Sequence, residues 1–231
     1  MSMDNATSIF NGKFSWAERS EWLAPSVDIA EPGGFTKFFM RPKADVQIAV
    51  EAALPYLKQR RTCLQAGGYI GIWPTMLSGI FNRVITFEAQ EITFGCLRHN
   101  TKGLDNVTVM PRCALGKDNT LMVGMGNWVE KGHFGTSIVI PGGNIPTVCI
   151  DDLELTDVDL IWLDIEGSEY DALVGASETI ERCRPVIGFE DTGLNTRIGY
   201  SDGASPIEYL ISYFGYKEKN RPYPSDALMI P

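Results

Sequence analysis

Histidine is nearly absent from this sequence, and its five cysteines make no metal-ligand or disulfide pattern. Cys63, Cys96, Cys113, Cys149 and Cys183 are odd in number and widely spaced, with no C-x-x-C pair. They read as small core residues of a protein from a reducing compartment, taken here as the cytoplasm. Lys and Arg are outnumbered 20 to 29 by Asp and Glu, a formal charge of −9. Holding nucleic acid by bulk charge needs cations to displace condensed counterions, so that class is set aside. The one basic cluster, Lys58-Gln59-Arg60-Arg61, reads as a solvated helix end. No apolar run approaches the ~18 residues of a membrane span, and the opening residues lack the basic and apolar regions of a signal peptide. Internal repeats and low-complexity tracts are missing too.

What is present is a globular composition, 44% hydrophobic and 21% charged over 231 residues, enough for one core-forming domain with an appendage. Residues 1–43 are rich in aromatics without a clean period and carry the breaker run Glu31-Pro32-Gly33-Gly34. They are expected to form an arm or lid over a main domain at 44–231. From there the pattern is regular. Val46, Ala49, Val50, Ala53 and Leu57 recur at helical spacing. Thr62–Ala66 reads as a buried strand that ends in Gly67-Gly68, and a helix follows from about Ile70, with Pro74 in or near its first turn. Arg83–Glu88 is a second strand, Glu91–Asn100 a second helix and "VTVMPRCAL" a third strand. Residues 116–150 read as an insertion of extended segments. Asp159–Ile165 is apolar almost throughout, as suits a central strand buried on both faces. A helix over Glu169–Glu181, a strand at Pro185–Glu190, a helix from Ser205-Pro206 to about Phe214 and a closing hairpin complete the chain. Strand and helix alternate, which predicts an α/β fold with a doubly wound, mostly parallel sheet and an antiparallel last strand.

In such a sheet, ligands sit beyond the carboxyl ends of the strands. The first βα turn is Gln65-Ala66-Gly67-Gly68-Tyr69-Ile70-Gly71. It is not G-x-G-x-x-G, because Tyr69 stands where a glycine would make room for a pyrophosphate. Glu88 ends the second strand, where a carboxylate can accept from both hydroxyls of a ribose. Glycine turn and Glu88 together point to a ribose-bearing cofactor. The fourth strand ends Asp164-Ile165-Glu166-Gly167-Ser168-Glu169. If the chain is still extended there, Asp164 and Glu166 share one side. Two carboxylates in the crevice suit a general base, a grip on an amino group or a hard-metal ligand. His133, in the glycine-rich "EKGHFGT" stretch, is a candidate for deprotonating a substrate.

The order of the glycine turn, Phe87-Glu88, Cys113-Ala114-Leu115-Gly116, Asp151-Asp152-Leu153 and the run Val158–Glu190 resembles the FkbM family of S-adenosylmethionine-dependent methyltransferases. Its most specific part is the D-x-E-G-x-E run. The resemblance implies a class I, Rossmann-like fold and methyl transfer, most often to a hydroxyl of a sugar or small metabolite. It implies that Gly67 and Gly71 lie under the methionine part of the cofactor and that Glu88 holds the ribose. It further implies that Cys113, Ala114 and Leu115 meet the adenine, with Asp164, Glu166 and Glu169 near the methyl group and Glu190 ending the next strand. Gln65 and Tyr69 depart from the family pattern, and Trp162 replaces a lysine common two residues before Asp164. The expected mechanism draws its base from Asp164, Glu166, Glu190 or His133. Two alternatives stand beside it. One is a non-catalytic binding module with an altered cofactor turn, and the other a metal-assisted enzyme in which Asp164 and Glu190 hold a divalent ion.

Overall fold

The structure, a computed structural model, describes residues 45–127, 137–193 and 204–231. The expected arm at 1–43 and His133 lie outside the described residues. Helix α1 covers residues 45–53. It is followed by β1 (Thr62–Ala66), α2 (Ile72–Ser78), β2 (Arg83–Phe87), α3 (Glu91–Thr101) and β3 (Val107–Val109). Then come β4 (Ala114–Leu115), β5 (Met122–Asn127), β6 (Ser137–Pro141) and β7 (Ile145–Val148). The chain closes with β8 (Val158–Leu163), α4 (Glu169–Val174), α5 (Ser177–Cys183), β9 (Val186–Glu190), α6 (Pro206–Phe214), β10 (Lys217–Glu218) and β11 (Asp226–Ile230).

Seven strands form the main sheet in the order β3-β2-β1-β8-β9-β11-β10. All its pairs are parallel except those made by β11, which runs antiparallel to β9 and β10. Alternate side chains feed two cores, as the period of a strand requires. Leu64, Ile85, Ile161 and Ile187 face α4, α5 and α6 through Leu173, Ile180 and Leu210. Cys63, Val84, Leu160 and Trp162 face α1 and α2 through Val46, Val50, Met76 and Leu77. The order in which strands are added to the sheet reverses between the parallel neighbours β1 and β8, so a crevice opens there at the carboxyl edge.

The insertion forms its own four-stranded sheet, β4-β7-β5-β6. The expected third strand is two strands in two sheets, because Pro111 falls between them and has no N–H for a ladder. The expected helix at 169–181 breaks at Gly175, where a side-chain carbon would lie 2.0 Å from the carbonyl oxygen of Gly116. Asp151 caps the new helix start, accepting from the N–H groups of Glu178 (3.0 Å) and Thr179 (2.8 Å). Within the basic cluster, Arg61 is tied to Asp159 at 2.6 Å, which pins the start of β1 to β8. No helix among the described residues is long and apolar enough to cross a membrane.

Candidate active site

The turn after β1 is fixed by close packing. A side chain on Gly67 (φ +81°) would lie 1.9 Å from the carbonyl oxygen of Asp164, and one on Gly68 would lie 2.7 Å from Leu97. The Gly68 N–H donates to the carbonyl of Phe87 at 2.9 Å, and the Asp164 N–H donates to that of Ala66 at 3.1 Å. The ends of β1, β2 and β8 are thereby drawn together. Gln65 is fully buried and sits beneath this turn, not on the cleft wall. Its Nε2 donates to the carbonyls of Ala66 (2.9 Å) and Gly67 (3.0 Å), and its Oε1 accepts from Thr86 at 2.7 Å. The reason is the pleat: residue 65 points to the α2 face. Gly71, in the left-handed cap of α2 at φ +98°, is likewise off the wall.

Tyr69 also has a left-handed backbone, φ +47°, a strained state for a residue with a side chain. What holds it is Glu88, whose Oε2 accepts from the Tyr69 N–H at 2.7 Å while Oε1 accepts from the Gln90 N–H at 2.8 Å. Burial raises the Glu88 pKa, and these hydrogen bonds oppose the shift. Thr93 and the Ala89 N–H also lower its pKa through hydrogen bonds, and the carboxylate stands at the cleft wall.

β8 ends at Leu163, so the chain is not extended through Glu166. Glu166 (φ +53°) and Gly167 (φ +99°) are both left-handed. The fully buried Glu169 holds this loop from below, accepting from the N–H groups of Ile165 and Gly167, each at 3.0 Å. Its carboxylate is thus spent on the backbone and is not free to meet a methyl group. The loop still brings Asp164 and Glu166 together, and Glu190 at the end of β9 joins them: one oxygen of each lies within 4.8 Å of the others. Glu190 Oε2 is buried and has no hydrogen-bond partner among the described residues. Burial first, then repulsion from nearby acids (Asp226 and Glu88 on Asp164, Asp164 and Glu169 on Glu166, Asp164 and Glu166 foremost on Glu190), pushes Asp164 up to about 6, Glu166 to about 8 and Glu190 to about 9. Asp226, which opens β11 opposite Glu190, is raised as well, again chiefly by burial. Each carboxyl is thus pushed toward its protonated form, and a cation placed among them would offset that push.

A cleft of about 180 Å³ runs between Glu88 and this cluster. Gly67, Tyr69, Glu88, Ala114, Leu115, Asp164 and Glu166 line it, whereas Glu190 reaches it only through the cluster. Sequence reasoning missed Trp73, Met125 and Val139. The last two are paired across β5 and β6, so the second sheet forms one wall. Trp73 lies in the first turn of α2, two residues past the glycine turn, which was the available signal. It stacks on Trp162 at 5.0 Å between ring centroids and 28° between planes. Trp162 fits because its cross-strand neighbour is Gly188, where a side-chain carbon would lie 2.2 Å from the indole ring.

The strand order, the antiparallel β11 and a cleft at the β1/β8 reversal define a class I, Rossmann-like methyltransferase fold. The chain matches the Methyltransferase FkbM domain over residues 65–218, more than half its length, and belongs to that family. Among solved structures it is similar to methyltransferase FkbM from Methylobacillus flagellatus KT (18% identity, 90% of this chain and 56% of that one, TM-score 0.49). A SAM-dependent methyltransferase from Aquifex aeolicus aligns at 12% identity over 87% of this chain and 98% of that one, TM-score 0.48. An rRNA methylase from Streptococcus thermophilus aligns at 12% identity over 80% and 95%, TM-score 0.46. No curated protein matches the chain.

Proposed function

We propose that the cleft binds S-adenosylmethionine and that the protein methylates a hydroxyl of a sugar or small metabolite. The observation that carries the reading is the pairing of two acidic ends in one cleft, Glu88 beyond β2 and the Asp164–Glu166–Glu190 cluster beyond β8 and β9. A ribose diol suits the first, a carboxylate on the cleft wall beside the glycine turn. A cation suits the second, where Glu190 Oε2 is buried without a hydrogen-bond partner among the described residues. Ala114, Leu115 and Cys113 supply an apolar seat for the adenine.

The bound cofactor supplies an electrophilic methyl group on a positively charged sulfur. The chain's own residues orient the acceptor, exclude water and take its proton. A cation in the cluster lowers the raised carboxyl pKa values, so Asp164 or Glu166 becomes a base beside the acceptor hydroxyl. With the cofactor held there, Asp164 or Glu166 would take up the one proton that the acceptor hydroxyl gives up as it gains a methyl group. The β5–β6 wall shapes the acceptor pocket. Titration calorimetry with S-adenosylmethionine tests the reading, and a folded protein that fails to bind at millimolar cofactor refutes it. The convergence of Asp164, Glu166 and Glu190 favours one second reading, a divalent cation as the cluster's occupant. Methyl transfer unchanged by a chelator removes it.

A further inference from the structure

We propose that the β8–β9 end of the cleft reads the charge of the cofactor, with Trp73 and the Asp164–Glu166–Glu190 carboxylates holding the sulfonium form and releasing the neutral thioether product. The inference rests on the cofactor reading above. It begins from geometry. β2, β1 and β8 are adjacent, and neighbouring strands lie ~4.8 Å apart. A cofactor whose ribose is at Glu88 therefore lays its far end across Gly67 and onto Asp164, whose carbonyl touches that turn. Three carboxylates converge there. No Lys or Arg of the described residues forms an ion pair with any of them.

The aromatic wall is a second observation, independent of the acids. Trp73 lines the same cleft and is backed by Trp162, which is almost fully buried and seated over Gly188. An indole face attracts a cation, most strongly where water is excluded. Sulfonium and thioether forms share the ribose, the adenine and the amino-acid group. The one difference between them is the methyl and its charge, so their affinity ratio isolates this end of the cleft.

The test is calorimetry of the full chain with three ligands: S-adenosylmethionine, S-adenosylhomocysteine and sinefungin, whose amine is positive near the sulfonium position. The wild type is expected to bind both cations about tenfold or more tighter than S-adenosylhomocysteine. Trp73→Leu and Glu166→Gln should each cut that ratio severalfold while leaving S-adenosylhomocysteine affinity within about twofold. Trp73→Phe, which keeps an aromatic face, should retain most of the ratio and guards against a folding defect. Equal affinities for all three ligands in the wild type overturn the inference and leave the cofactor reading intact. A ratio unmoved in Trp73→Leu and Glu166→Gln also overturns it. Failure of all three ligands to bind overturns the cofactor reading itself.

Discussion

Gly188→Ala should be among the most disruptive single-carbon additions in this protein. The added carbon would lie 2.2 and 2.3 Å from two atoms of the Trp162 ring and 2.8 Å from a third. Carbon–carbon contacts settle near ~3.5–4 Å, so the ring would have to retreat by more than ~1 Å. It cannot do so freely. Trp162 is 2% exposed, lies on a central strand between β1 and β9, and has Trp73 stacked against it. Overpacking of this kind costs about 1–3 kcal/mol, and a rigid ring in a sheet puts this site at the upper end, ~3 kcal/mol. At ~2–4 °C per kcal/mol for a chain of this size, Tm should fall by about 6–12 °C, read by calorimetry or circular dichroism. The cause is separable by a double-mutant cycle. Trp162→Leu alone loses packing, ~3 kcal/mol, but in that background Gly188→Ala should cost under ~0.5 kcal/mol, a coupling of ~2 kcal/mol or more. An unchanged Tm for Gly188→Ala, or the same loss in both backgrounds, would refute the seat assigned to Trp162.

Glu88→Gln should raise the dissociation constant for S-adenosylmethionine about 10–100-fold, the scale of hydrogen bonds to a charged group; an unchanged constant in calorimetry would place the ribose elsewhere. Glu169→Ala leaves the N–H groups of Ile165 and Gly167 without their acceptor and should cost about 2–4 kcal/mol in urea denaturation, whereas a loss under ~0.5 kcal/mol would mean the loop is held by other contacts. Glu166 and Glu190 have folded values of about 8 and about 9 against 4.5 in the open chain, so the folded state binds more protons between those limits. Their contribution to stability is full below about 4.5 and is lost as pH rises toward 9. Stability without ligand should therefore fall across that range, and the double variant Glu166→Gln/Glu190→Gln should flatten the fall.

The fold was legible where the period was strong. The buried runs of β1, β2, β8 and β9 and the capped start of α6 at Ser205-Pro206 follow from apolar patterning and local hydrogen bonding alone. Breaks set by contacts far along the chain were not. Gly175 ends α4 because Gly116 passes against it, and nothing near residue 175 announces a neighbour so distant in sequence. Glu88 and Asp164 could be placed in the crevice because strand ends are marked in the pattern. Gln65 could not be placed, since its side of the pleat depends on which face β1 turns toward α2. Glu166 was expected to join Asp164 by strand alternation; it does join it, but through a left-handed turn that Glu169 secures from beneath. Glu169 shows why a motif alone misleads about roles: three acids in six residues look alike on paper, yet one is a brace and two face the cleft.

The cost of that arrangement bears on why it exists. Asp164, Glu166, Glu190 and Asp226 repel one another in a partly buried space, and each is pushed toward its neutral form. A fold selected for stability alone would gain by replacing Glu190 with an apolar residue at the end of an otherwise apolar β9. Backbone strain accompanies the same site, with Tyr69 and Glu166 both left-handed. Charge repulsion, an unpartnered buried oxygen and two strained turns thus fall within one cleft, while the rest of the sheet obeys ordinary patterning. Such local violations are sustained where a ligand relieves them. A cation entering between Trp73 and the carboxylates would relieve the repulsion, so at equal free concentration, well above both dissociation constants, S-adenosylmethionine should raise Tm more than S-adenosylhomocysteine; equal Tm shifts for the two ligands would refute this.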